Sequence, residues 1–165
     1  DLCLVGSEMC IRDSYKGVIM EKEKVVVCSG YFDPLHVGHL EYLKMAKKLG
    51  DTLVVIVNNR DQCVMKKGDE FMDERDRLDI VFHLDMVDEV LMSVDEDKSV
   101  CKSLETICQF KPMADISFCK GGDRHFGEVP EAETCHKLGI KMVDGLGEKI
   151  RSSSELTGLV ELDNE

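Results

Sequence analysis

The stretch Lys24-Val-Val-Val-Cys-Ser-Gly-Tyr-Phe-Asp-Pro-Leu-His-Val-Gly-His39 decides the fold of this chain. It opens with an apolar run over Lys24–Cys28 that is typical of a buried β-strand, and a turn that contains glycine and proline follows. The apolar spacing of His39–Leu49 then predicts a helix that ends near Gly50. A buried strand that leads through a short turn into a helix is the repeating unit of parallel α/β sheets.

The same alternation of strand and helix patterns continues along the chain. Short apolar runs predict four further strands, over Asp51–Val57, Val87–Met92, Ile116–Cys119 and Ile140–Val143. Amphipathic patterns between and after them predict helices over Asp73–Leu84, Ser99–Phe110, Pro130–Leu138 and Ser152–Leu159. We therefore expect an α/β, Rossmann-like fold, with a five-stranded parallel, doubly wound sheet and helices on both faces. Ligands of such sheets bind at the carboxyl ends of the strands.

Composition and charge limit the classes of partner. The chain has 165 residues, enough for one domain with its own core. Its net charge of -12 argues against nucleic acid as the main partner, because a polyanion would be repelled. No apolar run approaches the ~20 residues that span a bilayer, so we expect no membrane partner and a cytoplasmic location. The cysteines form no C-x-x-C pair and show no zinc spacing, so we expect reduced thiols and no metal site.

The first residues differ in character from the rest of the chain. Residues 4–14 read LVGSEMCIRDS, which resembles a translated sequencing adapter rather than part of a folded domain. We therefore expect residues 1–19 to be a non-native leader and place the domain over residues 20–165. No repeat, low-complexity tract or linker divides the domain, so a single unit is expected.

The strongest chemical signal is the H-x-G-H motif where the first helix begins. His36 and His39 are three residues apart, which places one just before the helix and one in its first turn. Both rings can then converge where backbone N–H groups point at a bound phosphate, and Gly38 leaves that backbone open. Two other interpretations are a capped helix with incidental histidines and a zinc site, although no third zinc ligand has suitable spacing.

The pattern G-x-F-D-x-x-H-x-G-H over residues 30–39 resembles the signature of the cytidylyltransferase-like nucleotidyltransferases. That family includes glycerol-3-phosphate cytidylyltransferases, the choline- and ethanolamine-phosphate enzymes and heptose-phosphate adenylyltransferases. The resemblance extends over residues 24–159. It implies that His36 and His39 stabilise charge on the α-phosphate under attack, and that Asp33 shapes the loop. It also implies a nucleotide-binding loop built from Gly30, Tyr31, Phe32, Asp33 and Gly38.

Basic residues after the second strand match further parts of the family pattern. Val64–Gly68 resembles the family's lysine-bearing loop, which implies a catalytic role for Lys66 and nucleotide binding for Lys67. Counted back from a strand that resembles the family's V-D-E-V, Arg77 fits the catalytic arginine, with Arg75 as the alternative register. Outside the family context, the lysines would be a solvated basic pair and the arginines would be partners of neighbouring acids.

The end of the fourth predicted strand carries a glycine-rich motif. Lys120-Gly-Gly-Asp123 resembles the K-G-G-D of heptose-phosphate adenylyltransferases. The resemblance places three residues against the base or ribose of the nucleotide, namely Gly121, Gly122 and Asp123. Arg124 stands where the family often has an aromatic residue, which leaves the substrate open.

A serine-rich segment precedes the last predicted helix. It stands at the family's threonine-rich phosphate segment, which implies binding of the β- and γ-phosphates by Arg151, Ser152, Ser153 and Ser154. The family's glycine and threonines are missing here, and a plain helix cap is the alternative interpretation.

The resemblance implies a nucleotidyltransferase. Such an enzyme would transfer a nucleoside monophosphate from CTP or ATP to a phosphorylated small molecule, a sugar or polyol phosphate, and release pyrophosphate. Mg²⁺ is expected with the nucleotide, held by phosphate and water. The choice between CTP and ATP stays open, and a homodimer is an option for its assembly. A second interpretation is a catalytically silent nucleotide-binding module of the same fold.

Overall fold

The computed structural model describes residues 20–121, 129–147 and 153–159. Its strands are β1 (Lys24–Gly30), β2 (Thr52–Val57), β3 (Glu89–Met92), β4 (Asp115–Gly121) and β5 (Lys141–Leu146). Within the described ranges they form one parallel sheet in the order β3-β2-β1-β4-β5. The helices are α1 (Val37–Lys47), α2 (Arg60–Lys67), α3 (Glu74–Phe82), α4 (Cys101–Phe110), α5 (Glu131–Leu138) and α6 (Ser153–Thr157).

The central strand β1 explains why helices cover both faces of the sheet. Val25 and Val27 pack into one apolar core with side chains of α4 and α5. Val26 and Cys28 pack into a second core with side chains of α1 and α3. A parallel strand that is buried on both faces must be apolar along its length, as this run is. The expected Rossmann-like, doubly wound fold is confirmed.

The strand order locates the crevice in which a ligand can bind. From β1 the chain moves outward to β2 and β3, and it then crosses to β4 and β5 on the other side of β1. The connections that leave β1 and β4 therefore diverge to opposite faces, which opens a crevice at their carboxyl ends. The residues that follow β1 enter the H-x-G-H motif at this crevice.

One segment that was expected to be a loop is a helix. Val64–Gly68, expected as the lysine-bearing loop, belongs to α2 and its end. Asn59 Oδ1 accepts a hydrogen bond from the Gln62 N–H over 2.9 Å, and Gln62 Oε1 accepts one from the Asn59 N–H over 3.1 Å. This reciprocal capping box starts the helix. Gly68 ends it with a φ of 84°, which favours glycine.

Two further expectations concern segments beyond this sheet. The predicted leader over residues 1–19 lies outside the described residues and stays a prediction. Among the helices of the described ranges, none combines the length and the apolar character that crossing a membrane requires.

Candidate active site

The rings of two histidines accept hydrogen bonds from backbone amides at the start of α1. His36, the residue before the helix, accepts a hydrogen bond at Nδ1 from the Gly38 N–H over 3.1 Å. His39 accepts one at Nδ1 from the His36 N–H over 3.2 Å. The two rings stack, with centroids 3.8 Å apart and planes 24° from parallel. A helix start leaves such amides without helical partners, and these reciprocal caps supply them.

The caps determine which ring nitrogen carries the proton. Because Nδ1 accepts in both rings, the proton of each neutral imidazole is on Nε2, on the side away from the capped amide. Burial lowers the pKa of His39 to about 3, and electrostatic repulsion adds to this effect, from the stacked His36 ring when that ring is protonated and from Lys67 and Lys66. His39 is therefore neutral near pH 7. It presents an Nε2–H donor of the kind that can bind a phosphate oxygen.

This arrangement changes the role expected of Gly38. Its N–H is already bound to the His36 ring, so this amide does not face a phosphate in the structure. The N–H groups of His39 and Leu40 are likewise bound, to the His36 carbonyl oxygen. These three amides are therefore occupied within the protein, and the rings of His36 and His39 supply N–H donors at this helix start. The nucleotide-binding role of Gly38 stays a prediction.

Phe32 packs against the ring of His39. Its ring meets the His39 ring edge-on, with centroids 5.0 Å apart, and it is 1% exposed. Gly30 makes room for this ring, because a Cβ at that position would lie 2.8 Å from it. In the structure both residues serve the packing behind the histidines, and their contact with nucleotide stays a prediction.

Asp33 organises the connection between α2 and α3, which we call the Gly68–Asp73 loop. Its fully buried carboxylate accepts hydrogen bonds from the N–H groups of Phe71 and Met72 over 2.9 and 2.7 Å. Lys67 Nζ donates to the Asp33 carbonyl oxygen over 3.0 Å and lies 4.0 Å from the carboxylate. This geometry fits the loop-shaping role implied for Asp33. Nucleotide contact by Lys67, whose side chain is 3% exposed, stays a prediction.

Arg77 is buried behind the same loop. Its guanidinium donates four hydrogen bonds of 2.7 to 3.3 Å, to the carbonyl oxygens of Tyr31, Asn58 and Met72 and to the carboxylate of Glu70. These bonds join the ends of β1 and β2 to the Gly68–Asp73 loop. The structure thus shows Arg77 as a buried support, and the catalytic role expected of it stays a prediction.

Lys66 is the more exposed lysine of α2. Its Nζ lies 4.5 Å from the centroid of the Tyr31 ring, a cation–π contact. Its charge is the smallest of the four causes that lower the pKa of His39. The catalytic role expected of Lys66 stays a prediction.

The end of β4 lies next to β1 in the sheet. Gly121 packs against Tyr42 of α1, and a Cβ on Gly121 would lie 3.0 Å from the Tyr42 ring. Lys120 Nζ lies 3.7 Å from Oε2 of Glu131, a carboxylate 4% exposed at the start of α5. Sequence reasoning missed Glu131, for which the only signal was an acid in a first helical turn. Two residues of the K-G-G-D motif lie outside the described residues and stay predictions, Gly122 and Asp123.

The serine segment, from a distant part of the chain, contacts the connection between β1 and α1. Ser153 Oγ donates a hydrogen bond to the Pro34 carbonyl oxygen over 3.0 Å. Ser154 follows it in α6. Arg151 and Ser152 lie outside the described residues. The structure thus brings α6 to the residues before His36, and phosphate binding by this segment stays a prediction.

A family model described as cytidylyltransferase-like matches residues 27–143. The chain belongs to the cytidylyltransferase-like family. FAD synthase from Ferroglobus placidus is 42% identical over 118 residues, which cover 72% of this chain and 72% of that relative. Bifunctional protein HldE from Citrifermentans bemidjiense is 38% identical over 143 residues, which cover 79% of this chain and 28% of HldE.

A solved structure shares the fold of this chain. The lipopolysaccharide core biosynthesis protein from Thermoplasma volcanium GSS1 matches with a TM-score of 0.58 and 30% sequence identity. The match covers 76% of this chain and 98% of that protein. The family and the nucleotidyltransferase class expected from the sequence are confirmed.

The two lysines of α2 should respond differently to replacement. Lys67→Met removes a buried cation beside Asp33 and should lower the free energy of unfolding by about 3–5 kcal/mol, as breaking a buried pair does. Lys66→Met should change it by less than about 0.5 kcal/mol but raise the KM of a phosphate-bearing substrate. Urea unfolding and steady-state kinetics measure these quantities. An equal loss of stability in both variants would contradict the distinction.

The stability of the enzyme should depend on the protonation of His39. Its pKa is about 3 in the folded chain against 6.5 for a free histidine, so between these values only the unfolded chain binds the proton. Stability from this residue is therefore complete above pH 6.5 and declines as the pH falls toward 3. From about pH 7.5 to about pH 5, wild type should lose about 1–2 kcal/mol more than His39→Asn. Urea titrations at both pH values measure the difference, and parallel losses would argue against a neutral, buried ring.

Proposed function

We propose that this enzyme transfers AMP from ATP to the phosphate of FMN, which forms FAD and releases pyrophosphate. The observation that carries the proposal is 42% identity to an FAD synthase over 72% of both chains. FAD is FMN joined to AMP through a phosphate–phosphate bond, so a nucleotidyltransferase that makes FAD uses these two substrates. FMN is a phosphorylated small molecule, as expected from the sequence, but its flavin ring sets it apart from the sugar and polyol phosphates named there.

The two histidines are assigned to the α-phosphate of ATP. A phosphate oxygen of FMN attacks the α-phosphorus, and the bond from phosphorus to the bridging oxygen of pyrophosphate breaks. Negative charge grows on the α-phosphate oxygens during this step, and preorganised N–H donors stabilise it. The Nε2–H groups of His36 and His39 are donors of this kind, because their Nδ1 atoms are fixed on backbone amides.

The lowered pKa of His39 is part of this assignment. A proton added at Nδ1 would replace the acceptor that holds the His36 N–H, and the cap would be lost. A neutral ring keeps both the cap at Nδ1 and the donor at Nε2. Burial and the neighbouring positive charges therefore support the state that the reaction needs.

Lys66 is assigned to the phosphate of FMN, and Mg²⁺ to the β- and γ-phosphates of ATP. Lys66 holds its ammonium group 4.5 Å from the centroid of the Tyr31 ring. Mg²⁺ is assigned to the ATP substrate, where triphosphate oxygens and water hold it. Within the described residues, no three His, Cys, Asp or Glu side chains are grouped to hold a metal ion.

A panel of substrates tests the proposal. ATP and CTP are each combined with FMN, glycerol 3-phosphate and a hexose phosphate, and pyrophosphate release and the nucleotide product are measured. We expect FAD from ATP and FMN only. Turnover of the hexose phosphate in preference to FMN would favour the acceptor class suggested by heptose-phosphate enzymes. Absence of pyrophosphate in every combination would favour a silent nucleotide-binding module.

His39→Asn separates the chemical role of His39 from its structural role. The asparagine Oδ1 stands near the position of Nδ1 and can still accept from the His36 N–H, but the Nε2–H donor is lost. Loss of one preorganised donor lowers kcat by about 10²–10³. We expect a folded variant with this loss and little change in the KM of ATP.

His39→Gln is the matched control for that measurement. Its longer side chain carries an amide N–H toward the Nε2 position but leaves the His36 N–H without its acceptor. It should keep more turnover than His39→Asn and lose more stability. A folded His39→Asn enzyme with wild-type kcat would remove His39 from the chemistry.

A further inference from the structure

Three charged side chains are buried around one surface loop. Asp33, Lys67 and Arg77 are 0%, 7% and 1% exposed, and all three lie behind the Gly68–Asp73 loop or at its start. Burial of a charge is costly unless it is paired and hydrogen-bonded. These three buried charges therefore hold the loop in one conformation.

The hydrogen bonds place the loop beside the histidine segment. Asp33 accepts from the N–H groups of Phe71 and Met72, and Asp33 itself leads within three residues to His36. One guanidinium, that of Arg77, donates to the carbonyl oxygens of both Met72 and Tyr31. The backbone at Phe71 and Met72 is therefore fixed against the residues that connect β1 to the catalytic histidines.

The side chain carried by this fixed backbone is apolar and exposed. The Phe71 ring is 58% exposed, although the backbone N–H of the residue is bound to a buried carboxylate. An aromatic ring on a rigid backbone loses little conformational freedom when a flat ligand stacks on it. Lys66 lies on α2 two residues before this loop, and its ammonium group is 4.5 Å from the Tyr31 ring. Because Arg77 binds the carbonyl oxygens of both Tyr31 and Met72, the residue that this cation contacts and the residue after Phe71 are held by one guanidinium.

We propose that Phe71 is the surface on which the flavin ring of FMN stacks. The inference rests on the proposed function and adds the means by which the acceptor is recognised. FMN combines a flat aromatic ring with a phosphate, and it therefore matches an exposed aromatic side chain that follows the proposed phosphate-binding cation, Lys66, by five residues. A sugar phosphate has the phosphate but no flat ring. Phe71 thus selects the flavin over acceptors of similar charge.

Kinetics of Phe71→Ala give the first test. Stacking of a base on an aromatic side chain contributes about 1–3 kcal/mol by alanine replacement, so the KM of FMN should rise about tenfold or more. The KM of ATP should stay unchanged, because Phe71 is proposed to contact the flavin and not the nucleotide. Phe110→Ala is the control, since Phe110 is 80% exposed and ends α4, away from the carboxyl edge of the sheet.

A spectroscopic test does not depend on turnover. The chain contains no tryptophan, so Phe71→Trp introduces a single indole as a reporter. FMN without ATP should quench the indole emission strongly, because the flavin stacks on the indole. Phe110→Trp, with its indole at the other edge of the sheet, should be quenched much less. Phe71→Trp should also keep a KM for FMN near that of wild type.

The outcomes separate this inference from the proposed function. If wild type makes FAD but Phe71→Ala keeps its KM for FMN, or FMN quenches both indoles equally, the stacking role is wrong and the proposed function stands. If wild type makes no FAD but FMN quenches the indole of Phe71→Trp selectively, the flavin site stands and the proposed reaction is wrong. If wild type makes no FAD and FMN leaves that indole unquenched, both are wrong.

Discussion

The unpaired backbone amides at the start of α1 are the constraint on which the site depends. A helix start needs acceptors for its first N–H groups, and a bound anion or a polar side chain can supply them. Here the Nδ1 atoms of His36 and His39 do so. The same bonds fix each proton on Nε2 and hold the two rings in a stack 3.8 Å apart. The same hydrogen bonds therefore cap the helix, set the protonation state of the rings and direct their N–H donors. Burial keeps His39 neutral and so preserves all three features.

A second layer of structure holds this arrangement in place. Two charged residues that resemble ligand-binding groups in the sequence form hydrogen bonds within the protein, and their contact with a ligand stays a prediction. The Arg77 guanidinium donates to carbonyl oxygens at the ends of β1 and β2, and Lys67 Nζ donates to the Asp33 carbonyl oxygen inside the fold. Carbonyl groups at strand ends have no partner in the sheet, and buried ones need a donor. Arg77 supplies several donors from one side chain. It therefore binds the carbonyl groups at the edge of the sheet where the segment with the two histidines begins.

The sequence was sufficient for the fold because the central strands β1 and β2 are apolar runs and most of the helices between the strands show an amphipathic period. It was also sufficient to bring His36 and His39 together, since residues three apart at a helix start lie on one side of it. The burial of Arg77 could not be predicted from the sequence. Its partners Tyr31 and Asn58 follow two different strands, and only the folded sheet brings these residues together. Helix α2 was missed although Asn59 and Gln62 carry the spacing of a capping box, since the neighbouring asparagines and lysines indicated a polar loop.

The Gly68–Asp73 loop has a consequence for how such enzymes diverge. The histidines belong to the connection from β1 to α1, whereas this loop belongs to the connection from α2 to α3. The two are joined through buried groups, and the exposed side chains of the loop take no part in that junction. With the roles proposed for the histidines and for Phe71, evolution can exchange those outward side chains while the fold and the histidine pair stay intact. A family in which relatives are named as differently as FAD synthase and HldE is what such a separation of chemistry from recognition would produce.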